Sequence, residues 1–300
     1  MSENQKIRTK SNKNHIFLLL FFFVFYVNSN LTYSKNIFKS LLANPYEARV
    51  GTIYDNTNDR LRLDIGTSLD LMNIYKDSSN TLNIGTDFMT YTRLRSEGKL
   101  KFPLETSDYF FGINISGKYI FDDDISNDIN NNKNEVKSKT KTQNSNFLEY
   151  RIRIAHISSH LVDGYTNNSY EFLQSPFVYS REFVDAVCAI NIDDSRIYLG
   201  LNSVFSTQPK NFTAFIPQAG IEHKINIYNN LDITAGYDLK LIGINKILRA
   251  TNAIQAGFLY GEQDSPKVFA GVYYYAGPSM HGMFYNSIDK YFGIGFQVIP

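Results

Sequence analysis

The chain has 300 residues, 43% of them hydrophobic, with 30 basic and 29 acidic side chains and a formal net charge of +1. Its 21 Tyr and 23 Phe come without Trp. The mean hydropathy of −0.27 excludes a multi-helix membrane protein but admits a barrel, of which only the outer face must be apolar. The basic residues form no stripe, so no nucleic-acid partner is expected, and the single Cys188 has no internal disulfide partner.

At the N-terminus, Lys6, Arg8, Lys10 and Lys13 precede an apolar run at 16–27, followed by Asn28, Ser29 and Asn30. That is the layout of a secretory signal, and the run is shorter than the ~20 residues a spanning helix needs. The reading is a signal peptide at 1–29, an N-terminal extension at 30–46, and an outer-membrane β-barrel at 47–300. An Asn/Lys-rich, low-complexity insertion at 122–145 interrupts the barrel; its composition cannot bury a core.

The rest of the chain alternates with period two, the pattern of strands with one apolar and one polar face. Leu61, Leu63, Ile65, Leu69 and Leu71 oppose Arg60, Arg62, Asp64, Ser68 and Asp70. Phe111, Ile113 and Ile115 oppose Gly112, Asn114 and Ser116, and the stretches at 196–202 and 231–241 repeat the pattern. Aromatic residues near strand ends, among them Tyr109, Phe110 and Tyr273 to Tyr275, are expected at membrane interfaces. A soluble β-sandwich, alternating with its apolar face inward, is the competing fold.

The expected fold is therefore all-β, a closed antiparallel transmembrane β-barrel of about twelve strands. Counting back from an inward-running last strand puts the turns at 262–265, 228–230 and 192–195, and the tract at 122–145, on the periplasmic side. The loops at 159–177 and 280–289 then face outside. The polar faces of the strands supply an inward set of Arg60, Arg62, Asp64, Asp70, Glu149, Arg151, Arg153, Asp238 and Lys240. If these pair, the lumen is narrow or closed.

Residues 147–160 read FLEYRIRIAHISSH, and parity puts His156 and Ser158 together on the outward face. Two residues apart on one strand, an imidazole can act as general base to a hydroxyl. The string resembles the His-x-Ser-Asn signature of outer-membrane phospholipase A and of lipid A deacylases, with Ser159 standing where those enzymes carry Asn. The resemblance implies His156 as base and Ser158 as nucleophile. Glu182, on the next strand with suitable parity, is the candidate to orient the imidazole. The alternative role for these residues is that of interfacial polar groups at a strand end. His223 and His281 are isolated in sequence, and no Cys/His spacing calls for a metal or a cofactor.

Residues 41–49 (LLANPYEAR), 156–164 (HISSHLVDG), 179–182 (YSRE) and the glycine-alternating end at 291–296 together resemble the family known as domain of unknown function 1207. The resemblance implies an exported barrel without an assigned activity. The leading function is structural or binding, in a monomer whose partners are outer-membrane lipids and, during biogenesis, the barrel-assembly machinery. The alternatives are an outer-leaflet lipid acyl hydrolase using His156 and Ser158, and a small-solute channel.

Overall fold

The period-two alternation is realised as strands that pair in sequence order until the last meets the first. The computed structural model describes residues 36–98, 101–121, 146–262 and 265–300. Within them run β1 (Val50–Asp55), β2 (Arg60–Lys76), β3 (Asn80–Arg95), β4 (Leu104–Ile120), β5 (Phe147–Leu161) and β6 (Tyr179–Ile192). They are followed by β7 (Ser195–Gln208), β8 (Phe215–Tyr228), β9 (Leu231–Ile244), β10 (Ile247–Tyr260), β11 (Lys267–Pro278) and β12 (Ile288–Ile299). Every neighbouring pair is antiparallel, and β1 joins β12 in register from Val50↔Val298 to Asp55↔Gly293, so the sheet is a closed twelve-strand barrel. The expected signal at 1–29 and the tract at 122–145 lie outside the described residues.

One rim of the barrel carries the short connections after β2, β6 and β8, together with those after β4 and β10. We call it the turn rim. The opposite, loop rim carries the longer connections after β5 and β11 and those after β1, β3, β7 and β9. For the described residues, the partition of connections between two rims is the expected one. The connection after β5 starts at residue 162, because β5 continues through Leu161, so Ser159 is a strand residue and not part of a loop. Asn245 and Lys246, between β9 and β10, both take positive φ (53° and 65°), the type I′ geometry whose twist matches the flanking strands.

The outward face is apolar: Ile65, Ile113, Ile154, Leu199, Ile233, Ile254 and Ile294 are all exposed, and the polar residues beside them are buried. A soluble sandwich has the opposite arrangement, so the barrel is a transmembrane one. Two features differ from expectation. Phe110, Tyr273 and Tyr275 point inward and are buried, since one step along a strand reverses the face and leaves Tyr109 and Tyr274 as the outward members. The outward aromatic residues near the turn rim are instead Tyr75, Tyr119, Phe121, Tyr228 and Tyr260.

The second difference concerns the N-terminal extension. The barrel begins at Val50, not at residue 47, and residues 36–49 fill its lumen. Ile37 N donates to Asp70 (2.8 Å), Leu42 N to Glu222 (2.6 Å), and Arg196 donates to the Lys39 carbonyl (2.8 Å). Phe38 is stacked against the guanidiniums of Arg151 and Arg196, 4.5 and 4.8 Å from its ring centroid. Leu41 packs with Val187, Ala189 and Tyr198, while Leu42 packs with Ile53, Phe269 and Tyr273. The segment is thus a plug with its own small apolar cores and with its backbone polar groups met by the wall.

From the other end, the loop after β11 folds inward instead of standing clear of the rim: residues 279–284 are buried. Asp108 holds it, accepting the Gly282 amide (2.8 Å) and pairing with His281 Nδ1 (2.7 Å), and Ser159 Oγ accepts the Met283 amide (3.1 Å). Gly282 permits this approach, because a Cβ there would lie 2.3 Å from the Tyr179 ring. Plug and loop touch where Tyr46 Oη donates to the Met280 carbonyl (2.9 Å).

Candidate functional site

The register between β5 and β6 decides what His156 meets. His156 stands directly opposite Glu182, and Ser158 directly opposite Ser180. Opposed residues on an antiparallel pair have Cβ atoms about 4.5–5.5 Å apart, so the two side chains can bond without distortion. They do: His156 Nδ1 lies 2.9 Å from Glu182 Oε1. With Nδ1 engaged, Nε2 is the nitrogen left for a proton transfer, and Ser158 is the next residue on the same face of β5. The three candidate residues read from the sequence therefore occupy one patch on the outward wall.

That patch departs from its surroundings. Among the described strand residues, Glu182 is the sole carboxylate on the outward face; every other one is turned inward. Ionisable groups facing lipid are costly, and pairing with a neighbour offsets part of that cost. The His156 and Glu182 side chains are 42% and 28% exposed, and a hydrogen bond between them contributes about 0.5–1.5 kcal/mol to the fold. Ser206 stands opposite Glu182 on β7, which makes the patch three strands wide.

Charged side chains line the lumen. Arg62, Asp64, Asp70, Glu149, Arg151, Arg153 and Asp238 are buried, while Arg60 and Lys240 are partly so. Arg62 pairs with Asp64 (2.6 Å) and Arg196 with Glu149 (2.7 Å). Arg153 pairs with Asp185 (2.9 Å), and Lys240 lies 3.8 Å from Asp238. Asp70 accepts from Asn83 (2.8 Å). The centre of the network comes from the plug: Glu47 receives both terminal nitrogens of Arg151, at 2.6 and 2.9 Å. Such buried pairs add little net stability when complete, but each is expensive to break.

Sequence reading missed three features. Glu47 was placed at the start of the barrel wall, with nothing to show that it seats a plug. His281 is not isolated but bonded to Asp108, far away in sequence, and His223 Nδ1 lies 2.9 Å from Ser195 Oγ at the turn rim. A lone carboxylate in the largely apolar segment LLANPYEAR is the available signal for the first. The other two rest on long-range pairing, and no local pattern announces them.

Comparison with known proteins places the chain in a family: it belongs to "Protein of unknown function (DUF1207)", which matches residues 25–298. No curated protein matches it by sequence. Among solved structures, it is similar to outer membrane phospholipase A from Escherichia coli, with TM-score 0.48, 9% identity, and coverage of 85% of this chain and 94% of that one. It is also similar to the β domain of the Bordetella autotransporter BrkA, with TM-score 0.40, 10% identity, and coverage of 84% and 96%. A third is OmpT of Vibrio cholerae lacking loop L8, an outer membrane protein, with TM-score 0.28, 11% identity, and coverage of 84% and 100%.

Proposed function

We propose that this DUF1207 member is an exported, plugged outer-membrane barrel whose lipid-facing wall carries a serine acyl hydrolase. Residues 1–29 serve as the signal peptide, the loop rim faces outside, and the site lies in the outer leaflet. The observation that carries the reading is the 2.9 Å bond between His156 Nδ1 and Glu182 on the outward face, with Ser158 next along the same face of β5. An isolated carboxylate facing lipid has no structural advantage, whereas one that fixes an imidazole tautomer beside a serine has a chemical one.

In the proposed reaction, Ser158 Oγ attacks the carbonyl carbon of a lipid ester while His156 Nε2 accepts the hydroxyl proton. The same nitrogen returns that proton to the departing alkoxide as the ester bond breaks. Water, deprotonated by His156, then attacks the acyl carbon; the acyl–Oγ bond breaks, His156 returns the proton to Ser158 Oγ, and the fatty acid leaves. Glu182 acts on the imidazole and holds it in the tautomer that leaves Nε2 free. The filled, ion-paired lumen favours this reading over a small-solute channel, because residues 36–49 occupy the path that solute would take.

The test is fatty-acid release by purified, folded barrel from glycerophospholipid and from acylated sugar lipids. The wild type should release fatty acid from one or both, and Ser158→Ala should abolish it. No release from either lipid by barrel that shows heat-modifiable gel migration refutes the hydrolase. A binding or structural role would then stand in its place.

A further inference from the structure

At the loop rim, above the Ser158 patch, a cavity of about 670 Å³ lies between the ends of β6 and β7 and the loop after β11. That volume is within the range of small-molecule sites. Its position relative to Ser158 follows from register. Ser158 faces Ser180 on β6, and Ser180 faces Gln208 on β7, so Gln208 in the cavity wall is two strand spacings, about 10 Å, from Ser158. Val178, also in the wall, immediately precedes β6.

The chemistry of the lining is specific. Among the described residues, no charged side chain contributes to it. A phosphate buried there would lose water without gaining a cation, which argues against a phosphodiester headgroup. What the wall does offer is an aromatic corner and neutral amides. The rings of Phe177 and Tyr285 stand 6.0 Å apart and nearly perpendicular, and Phe177 keeps an exposed face. Gln208 is exposed and has no side-chain hydrogen bond among the described residues. Asn286 uses its oxygen on Asn245 (3.1 Å), which leaves its amide hydrogens available as donors. Gln174 donates to the Met283 carbonyl (2.9 Å), which fixes the wall and leaves its oxygen as an acceptor. Aromatic faces for C–H surfaces and uncharged amides for hydroxyls are the two requirements of a pyranose ring.

We infer that this cavity holds the sugar headgroup of an acylated saccharide, placing one of its esters at Ser158. The inference rests on the hydrolase reading for the ester, but the sugar site itself can be tested without turnover.

The experiment uses Ser158→Ala barrel in zwitterionic micelles, with methyl β-glucopyranoside and glycerol 3-phosphate as probes for saturation-transfer NMR. Transfer to the pyranoside ring protons is expected, with none to glycerol phosphate, and it should be lost in the added Phe177→Ala and Gln208→Ala variants. Absence of transfer to the pyranoside, transfer that survives both substitutions, or equal transfer to both probes overturns the sugar site. With Ser158 intact, Phe177→Ala should raise KM for an acylated glucoside roughly tenfold, the loss of one stacked aromatic contact. If the hydrolase reading alone is wrong, the wild type cleaves nothing while the NMR transfer persists. If the cavity alone is misread, cleavage persists and the transfer is missing.

Discussion

Replacing Glu47 with Gln should unseat the plug. Glu47 is 1% exposed and takes two hydrogen bonds from Arg151, a third from Asn44 (3.1 Å), and lies 3.9 Å from Arg153. The amide keeps one acceptor and turns a donor toward guanidinium, so Arg151 loses its closest anion and keeps Asp185 at 3.8 Å. Breaking a buried pair in this way costs about 3–5 kcal/mol. None of the wall's hydrogen-bonded ladders includes residues 36–49, so the cost falls on the seating of the plug and not on barrel closure. A loss of that size raises the plug-released population by about two to three and a half orders of magnitude. Planar-bilayer recording should find the wild type silent and Glu47→Gln opening intermittently. Replacing both Glu47 and Arg151 with Met should restore silence, because no uncompensated charge remains. A Glu47→Gln barrel as silent as the wild type, with an unchanged urea midpoint, refutes the assignment of Glu47 as the seat.

Ser158→Ala should abolish fatty-acid release while shifting the unfolding free energy by less than about 0.5 kcal/mol, as read by urea titration in vesicles, because the hydroxyl is a surface group. Glu182→Gln should lower kcat about 10²- to 10⁴-fold with a stability change under about 1.5 kcal/mol; a large stability loss with unchanged kcat would instead mark a structural pair. Asp108→Asn weakens the anchor of the inward-folded loop by about 1–3 kcal/mol, and faster hydrogen exchange at the Gly282 and Met283 amides is the readout.

The placement of His156, Ser158 and Glu182 shows where legibility in the sequence ends. Parity along a strand is a local property, so the outward position of His156 and Ser158 could be read directly, as could the inward position of Arg151 and Arg153. That Glu182 lies opposite His156, and not two residues away, depends on how the long connection at 162–178 sets the register of β6. Connection length alone does not specify that register.

The sequence by itself determined strands with one apolar and one charged face, a pattern that fits a closed, apolar-out barrel and leaves an apolar-in sandwich as its competitor until burial decides between them. Within that barrel it placed the charged set in the lumen. Only the tertiary structure decided what fills that lumen and what the lone residues meet. Residues 36–49 carry no alternation and read as an extension, yet Glu47, Leu41 and Phe38 become buried because the lumen offers Arg151, Tyr198 and two guanidinium faces drawn from distant strands. His281 finds Asp108 across the barrel for the same reason. Facing is fixed by neighbours one or two residues away, whereas pairing across a closed sheet is fixed only when all twelve strands are in place.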